Sequence, residues 1–207
     1  KTGNLPICKT FIGYQHAVEE CNANSYQIIN TIRDIKNFDE NQDLNSKRRN
    51  SIRKGLRQCV IEKMERITSA DAERIHDLWK TFTIRTGWKR PFSYDYIAKS
   101  FLLLTSLPGT TILVARAKDH PEMIIGFLIV KLINSTAFVD TIAADTYYLS
   151  YNPNDALLYT FLANAKMTEN IKSIHYAIKS YDTLLEKFKE SFGFEKVRLP
   201  FRTILRP

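Results

Sequence analysis

The chain has 207 residues, of which 44% are hydrophobic and 25% charged, and it carries a formal net charge of +8. That length builds one well-buried core and is short for two, and that composition excludes a disordered chain. The longest apolar run, Met123 to Val130, contains a glycine and is far below bilayer-spanning length, so no transmembrane segment is expected.

Leu5 to Phe11 reads as a short strand. From Ala17 to Phe38, Ile28, Ile29, Ile32 and Ile35 share one face at helical spacing. Asn37 to Ser46 is rich in Asn and Asp and reads as a loop. Ser46 to Cys59 reads as a basic helix, with Ile52 and Leu56 on one face. Val60 to Ile67 reads as a strand. Thr68 and Asp71 match a capping box, opening a helix through Ile75, Leu78, Trp79 and Phe82, which Gly87 ends. Ser93 to Leu107 reads as the next helix, stopped by Pro108-Gly109.

The second half changes character. Thr111 to Ala117, Ile124 to Ile133 and Ala137 to Ala143 read as three consecutive strands in an antiparallel meander. Asn152-Pro153-Asn154 is a turn and a helix start. Leu157, Leu158, Phe161, Leu162 and Ala165 form the stripe of that helix. Ser173 to Lys179 reads as a strand with Ile174, Tyr176 and Ile178 alternating. Asp182 caps a helix carrying Leu184, Leu185, Phe188 and Phe192, and Gly193 ends it. Glu195 to Leu205 is a last extended piece. After two helices the order is therefore β-β-β-α-β-α-β. It suits an α/β fold with a mixed central sheet and helices on both faces. Residues 68–207 form the core of this arrangement, and residues 1–67, with the basic helix 46–59, are expected to pack on the same domain.

Cys8, Cys21 and Cys59 are widely spaced with no CxxC pair, so neither a disulfide framework nor a zinc site is indicated. His16, His76, His120 and His175 are scattered with no HExxH pair, and no metal is expected. No signal-peptide pattern is visible from Lys1 onward, and the reducing cytoplasm is the expected compartment.

The element order resembles the GNAT acyltransferase fold from about Thr68 onward. Two motifs sharpen the resemblance within the segment Ser180 to Phe194 and upstream of the core. Phe188-Lys189-Glu190-Ser191-Phe192-Gly193, followed by Phe194-Glu195, is similar to the "FK..FG" segment of the FemAB-like branch. Lys47-Arg48-Arg49-Asn50-Ser51-Ile52-Arg53-Lys54 is similar to the "R..IRK" stretch of that branch. The Tyr151-Asn152-Pro153 turn ahead of Leu157-Leu158 resembles it as well. FemAB-like members transfer amino acids from aminoacyl-tRNA to peptidoglycan precursors. The resemblance implies an acyl- or aminoacyl-transferase acting on an amine, with aminoacyl-tRNA or acyl-CoA as donor. Coenzyme A enzymes of the GNAT type usually carry a Gly-rich loop before the helix that starts here near Asp155. Ser150 to Asp155 has no glycine, and Asp155 puts a negative charge where a pyrophosphate would sit. That disfavours ordinary acetyl-CoA binding. A CoA-dependent N-acetyltransferase with a degenerate loop is the alternative enzyme.

Acyl transfer to an amine needs a donor or cation near the oxyanion and an acceptor for the amine proton. The motif implies Lys189 for the first role, beside Phe188. Asp182 and Tyr181 follow the strand Ser173 to Lys179 and face the expected cleft, although Asp182 reads more readily as a helix cap than as a base. Tyr147, Tyr148 and Tyr151, with Asn154, are candidates to line a donor or nucleobase pocket, or to pack a loop. Lys47, Arg48, Arg49, Arg53, Lys54 and Arg57 contribute +6 of the +8 with no acid between them. On a helix, Arg49, Arg53 and Arg57 form one stripe, suited to tRNA, a nucleotide-linked precursor or a lipid head group. Trp88 with Lys89 and Arg90 is a weaker stacking candidate. A non-catalytic module that binds an anionic polymer through the basic helix is the reading from a different class.

Overall fold

In chain order the elements are β1 (Gly13–Ala17), β2 (Ser25–Ile32), α1 (Glu40–Asp43), α2 (Ser46–Gln58), β3 (Cys59–Lys63), α3 (Ser69–Thr86), α4 (Tyr94–Ser106), β4 (Thr110–Ala117), β5 (His120–Ile133), β6 (Thr136–Ala144), α5 (Pro153–Met167), β7 (Ser173–Ile178), α6 (Thr183–Glu190) and β8 (Glu195–Leu205). They come from a computed structural model that describes residues 13–87, 92–178 and 180–205. The strand read at Leu5 to Phe11 and the Trp88-Lys89-Arg90 site lie outside the described residues.

Local chemistry sets the helix ends. Thr68 and Asp71 make both bonds of a capping box at the start of α3, and Gly87 closes it in the left-handed conformation at φ 71°. Ser93 caps α4, and Asp182 caps α6. The expected loop from Asn37 to Ser46 contains one helical turn, α1, because the Asp39 carboxylate accepts the Asn41 N–H at 2.8 Å.

The strands form one eight-stranded sheet in the order β1-β8-β2-β7-β6-β5-β4-β3. Neighbours are antiparallel except for β6 and β7, which are parallel. The meander β4-β5-β6 is as the sequence indicates. Ile112 and Val114 of β4 face Ile75, Leu78, Trp79, Ile97 and Phe101 of α3 and α4. Leu113 and Ala115 face the opposite way, toward Leu157, Leu158, Phe161 and Leu162 of α5. Adjacent strand residues point to opposite faces, so two cores sandwich the sheet.

The helical spacing read over Ala17 to Phe38 does not form a helix. Ser25–Ile32 is a strand with partners on both edges, Gln27 opposite Leu199 and Thr31 opposite His175. Its β-branched Ile28, Ile29, Thr31 and Ile32 suit a pleated backbone. Ile29 through Ile32 are all buried, so the alternation that marks a half-buried strand is missing from the sequence. Ile35 alone follows in a 3-10 turn, fully buried. Strand β2 thus lies between β7 and β8, and β3 extends the other edge. Among the described residues no helix is long and apolar enough to cross a membrane.

Candidate active site

Strands β6 and β7 pair at Thr136–Ser173, Ala137–Ile174 and Phe138–His175, and no further. β6 continues to Ala144 and β7 to Ile178. On β6 the register against β5 jumps, with Val139 opposite Val130 but Thr141 opposite Ile129, so Asp140 is an inserted residue. On β7 a second irregularity lies opposite Asn30, and Ala177 takes a positive φ of 55°. Bulges bend a strand and end its pairing. Two of them here part neighbouring strands in the middle of a sheet. The gap is flanked by Asp140 to Ala144 on one side and Tyr176 to Ile178 on the other. The Tyr176 hydroxyl is buried and has no hydrogen-bond partner among the described residues, and burial raises its pKa far above the ordinary phenol range.

Behind the β7 edge stands α6. The Lys189 side chain is 1% exposed. Its Nζ donates to Glu186 Oε1 at 2.9 Å and to the Ile178 carbonyl at 3.2 Å, and lies 5.3 Å from the Tyr176 ring centroid. Glu186 also accepts the Ser180 N–H at 2.9 Å and the Asn30 amide at 3.2 Å. Burial pushes the Glu186 carboxyl up, but the Ser180 N–H, the Lys189 ammonium and the Asn30 amide together hold it below its ordinary value. The apolar stripe read along α6 is therefore corrected. Leu184 is exposed, and the inward face carries Glu186 and Lys189 between Leu185 and Phe188. An ion pair can occupy that face because several donors meet one carboxylate. Asp182 accepts the N–H groups of Leu184 and Leu185 at 2.8 and 3.3 Å, as a cap does, and Tyr181 is fully exposed.

The start of α5 is built differently from an anion-binding helix end. Asn152 has φ 54°, and Pro153 brings no N–H. Asp155 is buried, and its carboxylate accepts from Arg48 of α2. The Arg48 Nε donates to Ser191 Oγ at 2.8 Å, and its guanidinium lies 4.8 Å from the Phe188 and 4.9 Å from the Phe192 ring centroids. Burial pushes the Asp155 carboxyl up despite Arg48. Gly55 brings α2 against this turn so closely that a Cβ there would stand 2.6 Å from the Asn152 carbonyl oxygen. Tyr148 and Tyr151 meet edge to face at 5.4 Å just before the helix, and Tyr151 Oη donates to Asp119 at 2.6 Å. The Asn154 Oδ1 is buried without a partner among the described residues.

Of the arginine stripe, Arg49 is turned inward and donates to the carbonyls of Leu44 and Asn41, while Arg53 and Arg57 are exposed. The structure thus brings Phe188 to Arg48 and Asp155 where α2, α5 and α6 meet, while Tyr148 and Tyr151 stand before α5 on the side of Cys59 and Asp119. It leaves Lys189, Tyr181 and Asp182 on the β7 side of the gap. Sequence reasoning missed Arg48, Glu186 and Asn30 as members of these clusters. It also missed Asp145, which is buried at the end of β6 and accepts from Arg74 and from Thr81 Oγ1 at 3.1 Å. The signal was present only as charged residues placed among apolar ones.

No protein-family model matches the chain, and no curated protein matches it. Solved structures do. FemX superimposes with a TM-score of 0.66 at 11% identity, over 86% of this chain and 61% of FemX. L-PGS from Bacillus licheniformis gives 0.60 at 14% identity, over 87% of this chain and 62% of that one. An acetyltransferase from Thermus thermophilus gives 0.56 at 13% identity, over 71% of this chain and 97% of that one. The chain thus spans about three fifths of FemX and of L-PGS. A split mixed sheet between two helical layers, superimposing on FemX, L-PGS and an acetyltransferase alike, is the GNAT-type fold.

Proposed function

We propose that the chain is an acyl- or aminoacyl-transferase of the FemAB-like type, which joins an acyl group to an amine where β6 and β7 part. The parting of these strands carries the reading. It leaves the edge of β6 from Asp140 to Ala144 without a β7 partner, and strand-edge N–H and C=O groups are either paired or offered to a ligand. In the reaction the amine lone pair attacks the donor carbonyl carbon, and the bond to the leaving oxygen or sulfur breaks. The amine proton passes to a base or to the leaving group. Lys189 enters this reading by position: it ties the Ile178 carbonyl at the gap's edge, with its charge paired to Glu186. Tyr148, Tyr151 and Asn154 lie beside the helix start that the donor would approach.

The closed start of α5 favours a donor other than coenzyme A. Its first turn contains its own carboxylate, and α2 is packed directly on it. The test is a transfer assay on the purified chain with charged tRNA and acetyl-CoA as alternative donors and a panel of amines. Transfer from the aminoacyl donor alone is the expected result. Transfer from acetyl-CoA alone would establish the alternative N-acetyltransferase. Anion binding with transfer from neither donor would leave the non-catalytic module.

A further inference from the structure

The last pair that β6 and β7 make before they part is Phe138 with His175. Lys131 stands opposite Phe138, Thr31 opposite His175, and Glu195 opposite Thr31. Residues paired across strands point to one face, so Lys131, Phe138, His175, Thr31 and Glu195 form a single row across the sheet. On β7 the neighbours Ile174 and Tyr176 are buried in the core that faces α5. His175 therefore points to the opposite face, the one that carries α3 and α4. Those two helices lie chiefly over β4, β5 and β6. The imidazole is half-buried and meets the Phe138 ring edge to face at 5.0 Å. No hydrogen bond or ion pair reaches it from the described residues. The charged groups along its row are already paired, Asp140 with Lys131 at 2.8 Å and Glu195 with Arg33.

We propose that His175 is the general base of the transfer, taking the proton from an acceptor amine that reaches the gap from the α3 side while the acyl donor reaches it from the α5 side. The role rests on the transferase reading and deepens it. The amine lone pair forms the new bond to the donor carbonyl carbon, and the bond to the leaving oxygen or sulfur breaks. The proton on the amine nitrogen passes to the imidazole and from there to the leaving atom. A base serves only while it is unprotonated and unbonded. Burial lowers the His175 pKa from its ordinary 6.5, so the imidazole is neutral at pH 7. Its ring nitrogens are not committed to another group. Lys189 is unsuited to the task, because it lies on the other face and is held by Glu186. Asp140 and Glu195 each face a cation that competes for the same oxygens.

The experiment follows transfer by the full chain across pH, with charged tRNA and acetyl-CoA as donors and the panel of amines, for the wild type and His175→Gln. Wild-type turnover at saturating amine should fall as pH drops through the imidazole pKa, which lies under 6.5. His175→Gln should lower turnover at pH 7 by at least about a hundredfold and remove that inflection, with the KM of the amine nearly unchanged. A half-buried side chain without hydrogen bonds contributes little to folding, so the variant should melt with the wild type. A variant that keeps most of its turnover overturns the role, and so does a wild-type profile without the inflection. The profile decides alone if the variant unfolds. Absence of transfer by the wild type from either donor overturns the transferase reading, and this role with it. Transfer that outlasts His175→Gln overturns the role alone.

Discussion

The Arg48 guanidinium and the Asp155 carboxylate form an ion pair that fastens the basic helix α2 to the first turn of α5. Their side chains are 18% and 12% exposed, so water screens them little. Truncating one partner of such a pair leaves an uncompensated charge. Arg48→Ala also removes the plane that covers Phe188 and Phe192. It should lower stability by about 3–5 kcal/mol in urea denaturation. Exchanging both partners for apolar residues, Arg48→Met with Asp155→Leu, should recover much of the loss.

Lys189 and Glu186 behave as a second buried pair. The family motif suggests a lysine whose removal spares the fold, but its burial predicts otherwise. Lys189→Ala leaves Glu186 without its counter-ion and should cost about 3–5 kcal/mol. Melting curves for Lys189→Ala, Glu186→Gln and the double variant will show strong coupling. Additive losses would show that the two side chains do not depend on each other.

The same carboxylate sets a pH dependence. Glu186 is held below its ordinary value of 4.5 in the folded chain. A depressed carboxyl contributes stability that is fully present above the unfolded value and is lost as pH falls through the folded one. Unfolding free energy measured from pH 6 downward should therefore drop below about pH 4.5, and Glu186→Gln should flatten that drop. An unchanged slope in the variant would remove Glu186 as its source.

Gly55 is required by close approach, not by backbone angle. In an exposed helix interior, Gly to Ala stabilises by about 0.5–1 kcal/mol. Here the added Cβ would meet the Asn152 carbonyl oxygen at 2.6 Å and the Ala156 Cβ at 3.0 Å. Gly55→Ala should instead destabilise by about 1–3 kcal/mol as α2 is pushed off α5. A gain in melting temperature would show that the helices have room to spare.

Acetyl-CoA should bind weakly. The start of α5 offers an aspartate and a proline where a pyrophosphate would need free N–H groups. Calorimetry should show no saturable heat up to about 1 mM, a Kd worth only about 4 kcal/mol. Micromolar binding would mean that the coenzyme docks without this helix end.

What the sequence determined by itself is the run of elements from α3 to β8. Each is marked within a few residues: Thr68 with Asp71, Gly87, Ser93, Pro108-Gly109, Asp182 and Gly193 punctuate helices, and apolar β-rich runs mark β4 to β7. From that order the GNAT-type resemblance followed. Tertiary structure alone decided the strand character of β2, because its second half is buried without alternation and its pairing partners lie near the other end of the chain. It also decided that Lys189 turns inward and that Arg48 is spent on Asp155. Arg48 and Asp155 are 107 residues apart in the chain, and Asn30 reaches Glu186 across 156. Such meetings depend on sheet order, register and the two bulges that part β6 from β7. Local propensity acts over a few residues along the chain, whereas register and bulge position are fixed by packing between segments that only folding brings together.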